Sequence, residues 1–406
     1  MLRKITVDQV RAGMYVHELC GSWLDNPFWT TSFPLRNSAE VHKLQASGVR
    51  ELWIDTDKGC DVEGADCALA PPAAPGLAAA PSEAAFAFQP QAPSGMRDEL
   101  TRAAKIIQKS RDAVGAMFEE ARLGTISSSA VAMPIVEEIA ASVLRNSGAL
   151  LSLVRIKQAD DYTYMHSVAV SAMMVALAKQ LHMSDAEIRD YGLAGLLHDI
   201  GKIAIPAAIL NKPGRLTDEE FLTVKRHPSA GYDMLKSVPD MPAVVLDVCL
   251  HHHERVDGAG YPERLGVETL SKAARMGAIC DVYDAVTSNR PYKEGWSPAV
   301  SLRKMALWAR EGHFDEALFA AFVKCIGIYP VGTLVRLKSN RLAVVTDNSK
   351  SLLKPTVKAF FSLTSQVYLA PVAIDLAPPG ASEAIVSIED PDKWNIRNLD
   401  RYWLHE

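Results

Sequence analysis

Residues 184–202 read SDAEIRDYGLAGLLHDIGK. Ser184 followed three residues later by Glu187 is an S-x-x-E capping pattern, in which each side chain satisfies a backbone N–H at a helix start. Apolar residues then recur at helical spacing, and Gly201 is the expected stop. The helix therefore delivers an adjacent imidazole and carboxylate, His198 and Asp199, at its end. The same periodicity extends in both directions. It predicts helices over 97–122, 131–155, 161–183, 184–200, 218–237, 242–252 and 271–288, with one more from Pro298 to about Arg310. Thr217 and Glu220 repeat the capping pattern. The fold class expected is mainly α, a helical bundle.

Outside the bundle the character changes. Residues 1–65 mix β-like runs, Met14–Val16 and Glu51–Ile54, with a helix at Ser38–Ser47 ended by Gly48, as a small α+β domain would. Residues 66–96 are rich in alanine and proline and read as a linker. The helical domain spans 97–330, with its core at 155–330. After Tyr329-Pro330, Thr333–Lys338, Leu342–Thr346, Thr356–Phe361 and Ala384–Ile388 are β-like, so 331–406 is expected to be a β-rich extension.

The chain has 406 residues, 48% of them hydrophobic, and a formal charge of −5. An acidic chain lacks the dense basic surface that polymeric nucleic acid requires, whereas a small phosphorylated ligand needs only a few local cations. The six cysteines are scattered without a C-x-x-C pair, which suggests reduced thiols rather than a disulfide framework. The N-terminus has no apolar signal core, and no run reaches the roughly 20 apolar residues of a bilayer span. The expectation is a soluble, cytoplasmic protein.

Eleven histidines are present. His166 lies in DDYTYMHSVAV, His198 beside Asp199 in GLLHDIGK, His227 in VKRHPSAGYDML, and His252 and His253 in HHHERVDGAGYP; Asp281 opens DVYDAVTSNRPYK. Imidazole nitrogen and carboxylate oxygen suit divalent cations such as Fe, Mn, Zn or Ni. A carboxylate can bridge two ions, as in paired-metal hydrolases acting on phosphate esters. Taken singly, each signal is weak: a lone histidine on an apolar helix is more often a packed core residue, and that reading stands for His17, His42, His182, His313 and His405. The joint pattern is what points to a metal centre.

HDIGK at 198–202, HPSAGYDML at 227–235, HHERVDGAGYP at 252–262 and DVYDAVTSNRPYK at 281–293 occur in the order and at the spacings of the HD-GYP family. Over about 155–330 the chain resembles that branch of the HD metal-dependent phosphohydrolases. The resemblance implies a helical bundle that hydrolyses cyclic di-GMP to pGpG or GMP; some members accept cyclic GMP-AMP. It implies two divalent ions, Fe or Mn, on His166, His198, Asp199, His227, His252, His253 and Asp281, with Asp199 bridging. Lys202 would face the attacked phosphate, Arg290 and Lys293 would hold phosphates, and Gly260 and Tyr261 of the GYP loop would contact the ligand. Glu254 and Asp257 would orient that loop. Diguanylate cyclases of GGDEF type would be partners through the same loop, and the long helices at 97–155 would support a homodimer. The opening MLRKITVDQVRAGMYVHEL and WIDT also resemble a small domain often fused to HD-GYP modules.

One departure stands out. Three-metal members carry a glutamate where this chain has Tyr162, so two ions are expected. That substitution leaves standing, as the alternative, a weakly active or inactive cyclic dinucleotide receptor or scaffold that binds diguanylate cyclases through the GYP surface. A different HD-type nucleotide hydrolase is a third reading, opposed by the complete GYP string.

Overall fold

The computed structural model describes residues 2–20, 33–35, 38–45, 49–60, 94–122, 128–154, 162–212, 214–288, 295–348, 353–396 and 398–404. The chain divides into two compact units, Met1–Ala84 and Ala85–Glu406.

The first unit is an antiparallel sheet of strands β1 (Leu2–Thr6), β2 (Tyr15–Cys20), β3 (Phe33–Pro34) and β4 (Glu51–Asp55) in the order β1-β4-β2-β3, with helix α1 at Ser38–Gln45. Alternation along β4 buries Leu52 and Ile54 against Ile5, Met14, Val16 and Leu44. Gly48 and residues 66–93 of the expected linker lie outside the described residues.

The second unit opens with α2 (Met96–Arg122) and α3 (Met133–Val154). Buried Glu99 clamps them, accepting from Arg145 Nε and Nη2 at 2.8 Å each and from Ser142 at 2.7 Å. Helix α4 (Tyr162–Gln180) is apolar nearly all round and runs through the middle of the bundle. Helix α5 (Asp185–Leu197) starts at the expected Ser184–Glu187 capping box. Gly192 and Gly195 let its backbone touch α4: a Cβ on Gly195 would lie 2.8 Å from Ser171 Cα. This contact between α4 and α5 brings His166 and His198 within reach of each other.

Gly201 does not stop α5 as expected. The helix ends at Leu197, Asp199 leaves helical geometry at φ −101° and ψ 8°, and Ile200–Ala204 forms a short 3-10 turn. Gly201 is needed for close approach instead, because a Cβ there would sit 1.9 Å from the His227 carbonyl oxygen. The turn is thereby pressed onto the start of the helix carrying His227.

The short helix α6 (Ala207–Leu210) follows. The single helix expected over 218–237 is two, α7 (Asp218–Val224) and α8 (His227–Leu235), since Pro228 has no N–H with which to continue the ladder. Next come α9 (Ala243–His251), α10 (Lys272–Thr287), α11 (Pro298–Arg310) and α12 (Glu316–Ile326).

Strands β5 (Leu334–Leu337), β6 (Arg341–Asp347), β7 (Thr356–Ser362), β8 (Val367–Asp375) and β9 (Ile385–Ile388) form an antiparallel sheet in the order β8-β7-β6-β5-β9. Strand β8 has no clear sequence signal, because Pro371 interrupts it; it is an edge strand, where a missing N–H can face solvent. The sheet packs with Met96 and Leu100 of α2. Among the described residues no helix is long and apolar enough to cross a membrane.

Candidate metal centre

Three helix ends and two helix interiors converge on Asp199. His166 comes from α4, His198 and Asp199 from the end of α5, His227 from the start of α8, His252 and His253 from the end of α9, and Asp281 from α10. Asp199 Oδ2 lies 3.2 Å from His166 Nε2 and 3.4 Å from His198 Nε2. Its other oxygen, Oδ1, lies 3.2 Å from His227 Nε2 and 3.7 Å from His252 Nε2. One carboxylate thus addresses two histidine pairs. Asp281 repeats the arrangement: Oδ1 is 3.1 Å from His166 Nε2, and Oδ2 is 3.7 Å from His253 Nδ1. The donor atoms form two groups, each drawn within 4.8 Å: Asp199, His227, His252 and His253, and His166, His198 and Asp199.

The hydrogen bonds behind these rings decide which nitrogen faces inward. His198 Nδ1 donates to the Gly195 carbonyl at 2.8 Å, and His227 Nδ1 to that of Val224 at 2.7 Å. His252 Nδ1 donates to the carbonyls of Val248 and Cys249 at 3.1 and 3.0 Å. A carbonyl can only accept, so each Nδ1 carries the proton and each neutral ring turns the Nε2 lone pair inward. His227 and His252 then place two such nitrogens 3.3 Å apart. Asp199 Oδ1 beside them is buried with no hydrogen-bond partner among the described residues. Converging lone pairs around an unsatisfied buried carboxylate oxygen are costly unless a cation lies among them. The residues present therefore fit divalent metal ions held by mixed nitrogen and oxygen donors.

Charge distribution agrees. Burial first, then the neighbouring histidines, hold His252 well below the ordinary imidazole range; burial also pushes His253 down to about 3. Both rings stay neutral, the form that ligates metal. Burial disfavours a charged His166, yet the carboxylates of Asp199, Asp281 and Asp284 outweigh it and push the ring up to about 10. Those acids draw positive charge to the spot where a divalent cation would provide it. Lys202 makes a short ion pair with Asp199 Oδ2.

The GYP loop closes one side. Tyr261 stacks on His253 at 4.7 Å between centroids. Gly260 passes so close to Glu254 that a Cβ would lie 2.4 Å from that residue's Cα. Glu254 accepts from the backbone N–H groups of Glu263, Arg264 and Leu265, at 2.6, 2.8 and 3.2 Å, so it holds the loop. Asp257 binds Arg255 and accepts from Ala259 N–H. His251 turns away, its Nδ1 lying 2.8 Å from Asp247 Oδ1. Arg290, Lys293 and the side chain of Tyr162 lie outside the described residues. Asp284 has no part in the sequence reading. It is buried, and its Oδ2 accepts from His166 Nδ1 at 2.6 Å. The signal was present in D-V-Y-D, whose spacing puts both carboxylates on one helix face.

The fold and this cluster define an HD-domain phosphohydrolase. A family model described as an HD domain matches residues 134–318, and one described as a domain of unknown function (DUF3391) matches 2–127. The chain belongs to the HD-GYP cyclic dinucleotide phosphodiesterase family, in the branch that carries this N-terminal domain. It is 52% identical over 406 residues to "Cyclic di-GMP phosphodiesterase PA4108" of Pseudomonas aeruginosa, covering 99% of this chain and 96% of that one. Shorter matches include "Cyclic di-GMP phosphodiesterase response regulator RpfG" of Xanthomonas campestris, 43% identical over 36% of this chain and 39% of the relative. Another is "3'3'-cGAMP-specific phosphodiesterase 1" of Vibrio cholerae, 35% identical over 40% of this chain and 38% of the relative.

Proposed function

We propose that the chain is a metal-dependent phosphodiesterase that hydrolyses cyclic di-GMP to linear pGpG, with GMP as the product of a second cut. The observation that carries this is the Asp199 carboxylate, whose two oxygens face two separate histidine pairs. Two divalent ions, Fe or Mn, suit the donors: His166, His198, Asp199 and Asp281 for one, and Asp199, His227, His252 and His253 for the other. When bound, such ions supply Lewis acidity toward phosphate and acidify nearby water.

The protein's own groups do the rest. Carbonyl-anchored Nδ1 protons fix the histidine tautomers. Lys202, beside Asp199, donates to a non-bridging phosphate oxygen as negative charge grows there. Tyr261 offers a flat wall over His253. Arg290 and Lys293 take further phosphate contacts, as the family pattern implies. The departing 3′ oxygen takes its proton from solvent. GGDEF-type cyclases are candidate partners through the exposed part of the GYP loop, and α2 and α3 are the candidate surface for a homodimer. Cys249, Cys280 and Cys325 form no disulfide among the described residues, which suits the cytosol.

The test is turnover of cyclic di-GMP by anaerobically purified protein, with metal content measured and products separated by chromatography. Linear product that vanishes on chelation and returns with Fe or Mn supports the reading. Tight binding without product in fully metallated protein overturns it. Parallel assays with cyclic GMP-AMP fix the preferred ring.

A further inference from the structure

The five histidines of the centre are not held alike. His198, His227 and His252 each donate through Nδ1 to a main-chain carbonyl, and His166 donates to the Asp284 carboxylate. His253 makes no such bond. Among the described residues neither of its nitrogens has a hydrogen-bond partner, and its Nδ1 lies 3.7 Å from Asp281 Oδ2, too far to be oriented by it. It is also the one of the five that is not buried. No polar anchor therefore fixes the rotation of this imidazole. What touches it instead is aromatic. Tyr261 stacks on it, with centroids 4.7 Å apart and planes inclined by 26°, and the Tyr261 backbone N–H donates to the His253 carbonyl at 3.2 Å. Tyr261 is held in its turn by Lys225, at the end of α7. The Lys225 ammonium lies 4.9 Å from the centroid of the Tyr261 ring and 5.0 Å from that of Phe221, so it ties α7 to the GYP loop. An ammonium is drawn to a ring face without needing a carboxylate.

We propose that Lys225, acting through Tyr261, is a positioning residue for His253. The row of Phe221, Lys225 and Tyr261 does for this imidazole what backbone carbonyls and Asp284 do for the other four. The group behind a ligating histidine sets its orientation and so the affinity of the ion. The tyrosine of the GYP loop is then part of the support of the metal centre, and α7, which carries no metal donor, is the outer end of that support. The proposal rests on the two-ion reading given above, in which His253 serves the ion shared with Asp199, His227 and His252. The sign of the effect separates a brace from a charge. An ammonium repels a nearby metal ion, so if Lys225 acted by its charge alone, removing that charge would tighten the ion. If it acts as a brace, removing it loosens the ion.

The experiment measures Mn affinity by competition against a chromophoric chelator in wild type, Lys225→Met, Lys225→Arg, Tyr261→Leu and Tyr261→Phe. Lys225→Met keeps the length of the side chain and loses the cation; it should weaken the ion at His227, His252 and His253 by about threefold. Tyr261→Leu removes the stacked ring and should weaken it by about tenfold. Lys225→Arg, still a cation over the rings, and Tyr261→Phe, still a stacked ring, should keep the wild-type affinity. The ion at His166 and His198 should bind equally well in all five proteins. A second readout uses metal-free protein labelled at histidine: the nuclear Overhauser contact between the His253 and Tyr261 rings should be strong in wild type and weak in Lys225→Met. Unchanged or tighter binding in Lys225→Met, equal weakening of both ions, or a wild-type ring contact in that variant overturns the proposal. If wild type takes up fewer than two ions, the two-ion reading is what has failed; the ring contact in metal-free protein then decides the brace.

Discussion

Asp284 Oδ2 accepts the Nδ1 proton of His166 at 2.6 Å, while Asp281, one turn earlier on the same helix, lies 3.1 Å from the ring's Nε2. Helix α10 thus grips both nitrogens of one imidazole. A carboxylate behind a ligating histidine fixes its tautomer and raises its basicity, and losing one typically costs 10- to 100-fold in metal affinity. Asp284→Ala should therefore weaken the ion at the His166–His198 pair by roughly that factor. Asp284→Asn should cost less, since the amide oxygen still accepts. Competition against a chromophoric chelator reads the affinity directly; wild-type affinity in both variants would exclude this role for Asp284.

The two faces of Asp199 predict a stoichiometry. His166→Ala removes a donor that faces Oδ2, and His227→Ala one that faces Oδ1. Each should lose about one of the two expected ions and keep the other, because the remaining donors still form a set. Asp199→Ala should lose both. Metal per chain, measured by mass spectrometry on folded variants, tests this. Equal loss in all three would mean one indivisible site.

Much of this centre was legible because its donors lie in short motifs at fixed positions of strongly periodic helices. The capping boxes at Ser184 and Thr217 form as read. What escaped depends on tertiary contact. Gly201 looked like a helix stop, but its absent side chain makes room for the His227 carbonyl, which lies far away in sequence. The break between α7 and α8 was hidden by continuous helical spacing on both sides of Pro228. Strand β8 was missed because Pro371 argues against a strand unless the strand is known to be an edge.

Gly201 supplies a stability test. A methyl group there meets backbone on two sides, 1.9 Å from His227 O and 2.4 Å from Gly231 N. Backbone cannot rotate aside as a side chain can. Gly201→Ala should therefore cost about 2–3 kcal/mol, the upper part of the range typical of an overpacked core. It should also shift His227 away from Asp199, so metal affinity and melting temperature should fall together. Unchanged thermal unfolding would show that the turn and α8 separate easily.

Glu99 gives a pH dependence away from the metal centre. Burial works against its charged form, but hydrogen bonds from Arg145, Ser94 and Ser142 outweigh it and hold the carboxyl below its ordinary value. A depressed folded-state pKa means the unfolded chain binds the proton more readily. This contribution is complete above the ordinary value of 4.5 and is lost as pH falls toward the depressed one. Wild type should therefore lose stability below about pH 4.5 through this group, whereas Glu99→Gln should lack that component. At neutral pH the substitution strands mostly buried Arg145 without its counter-charge, which typically costs about 3–5 kcal/mol. Urea unfolding of both proteins at several pH values separates the effects: the gap between them should be widest at neutral pH and narrow in acid. A gap that stays constant would mean that Glu99 contributes through packing and not through its charge.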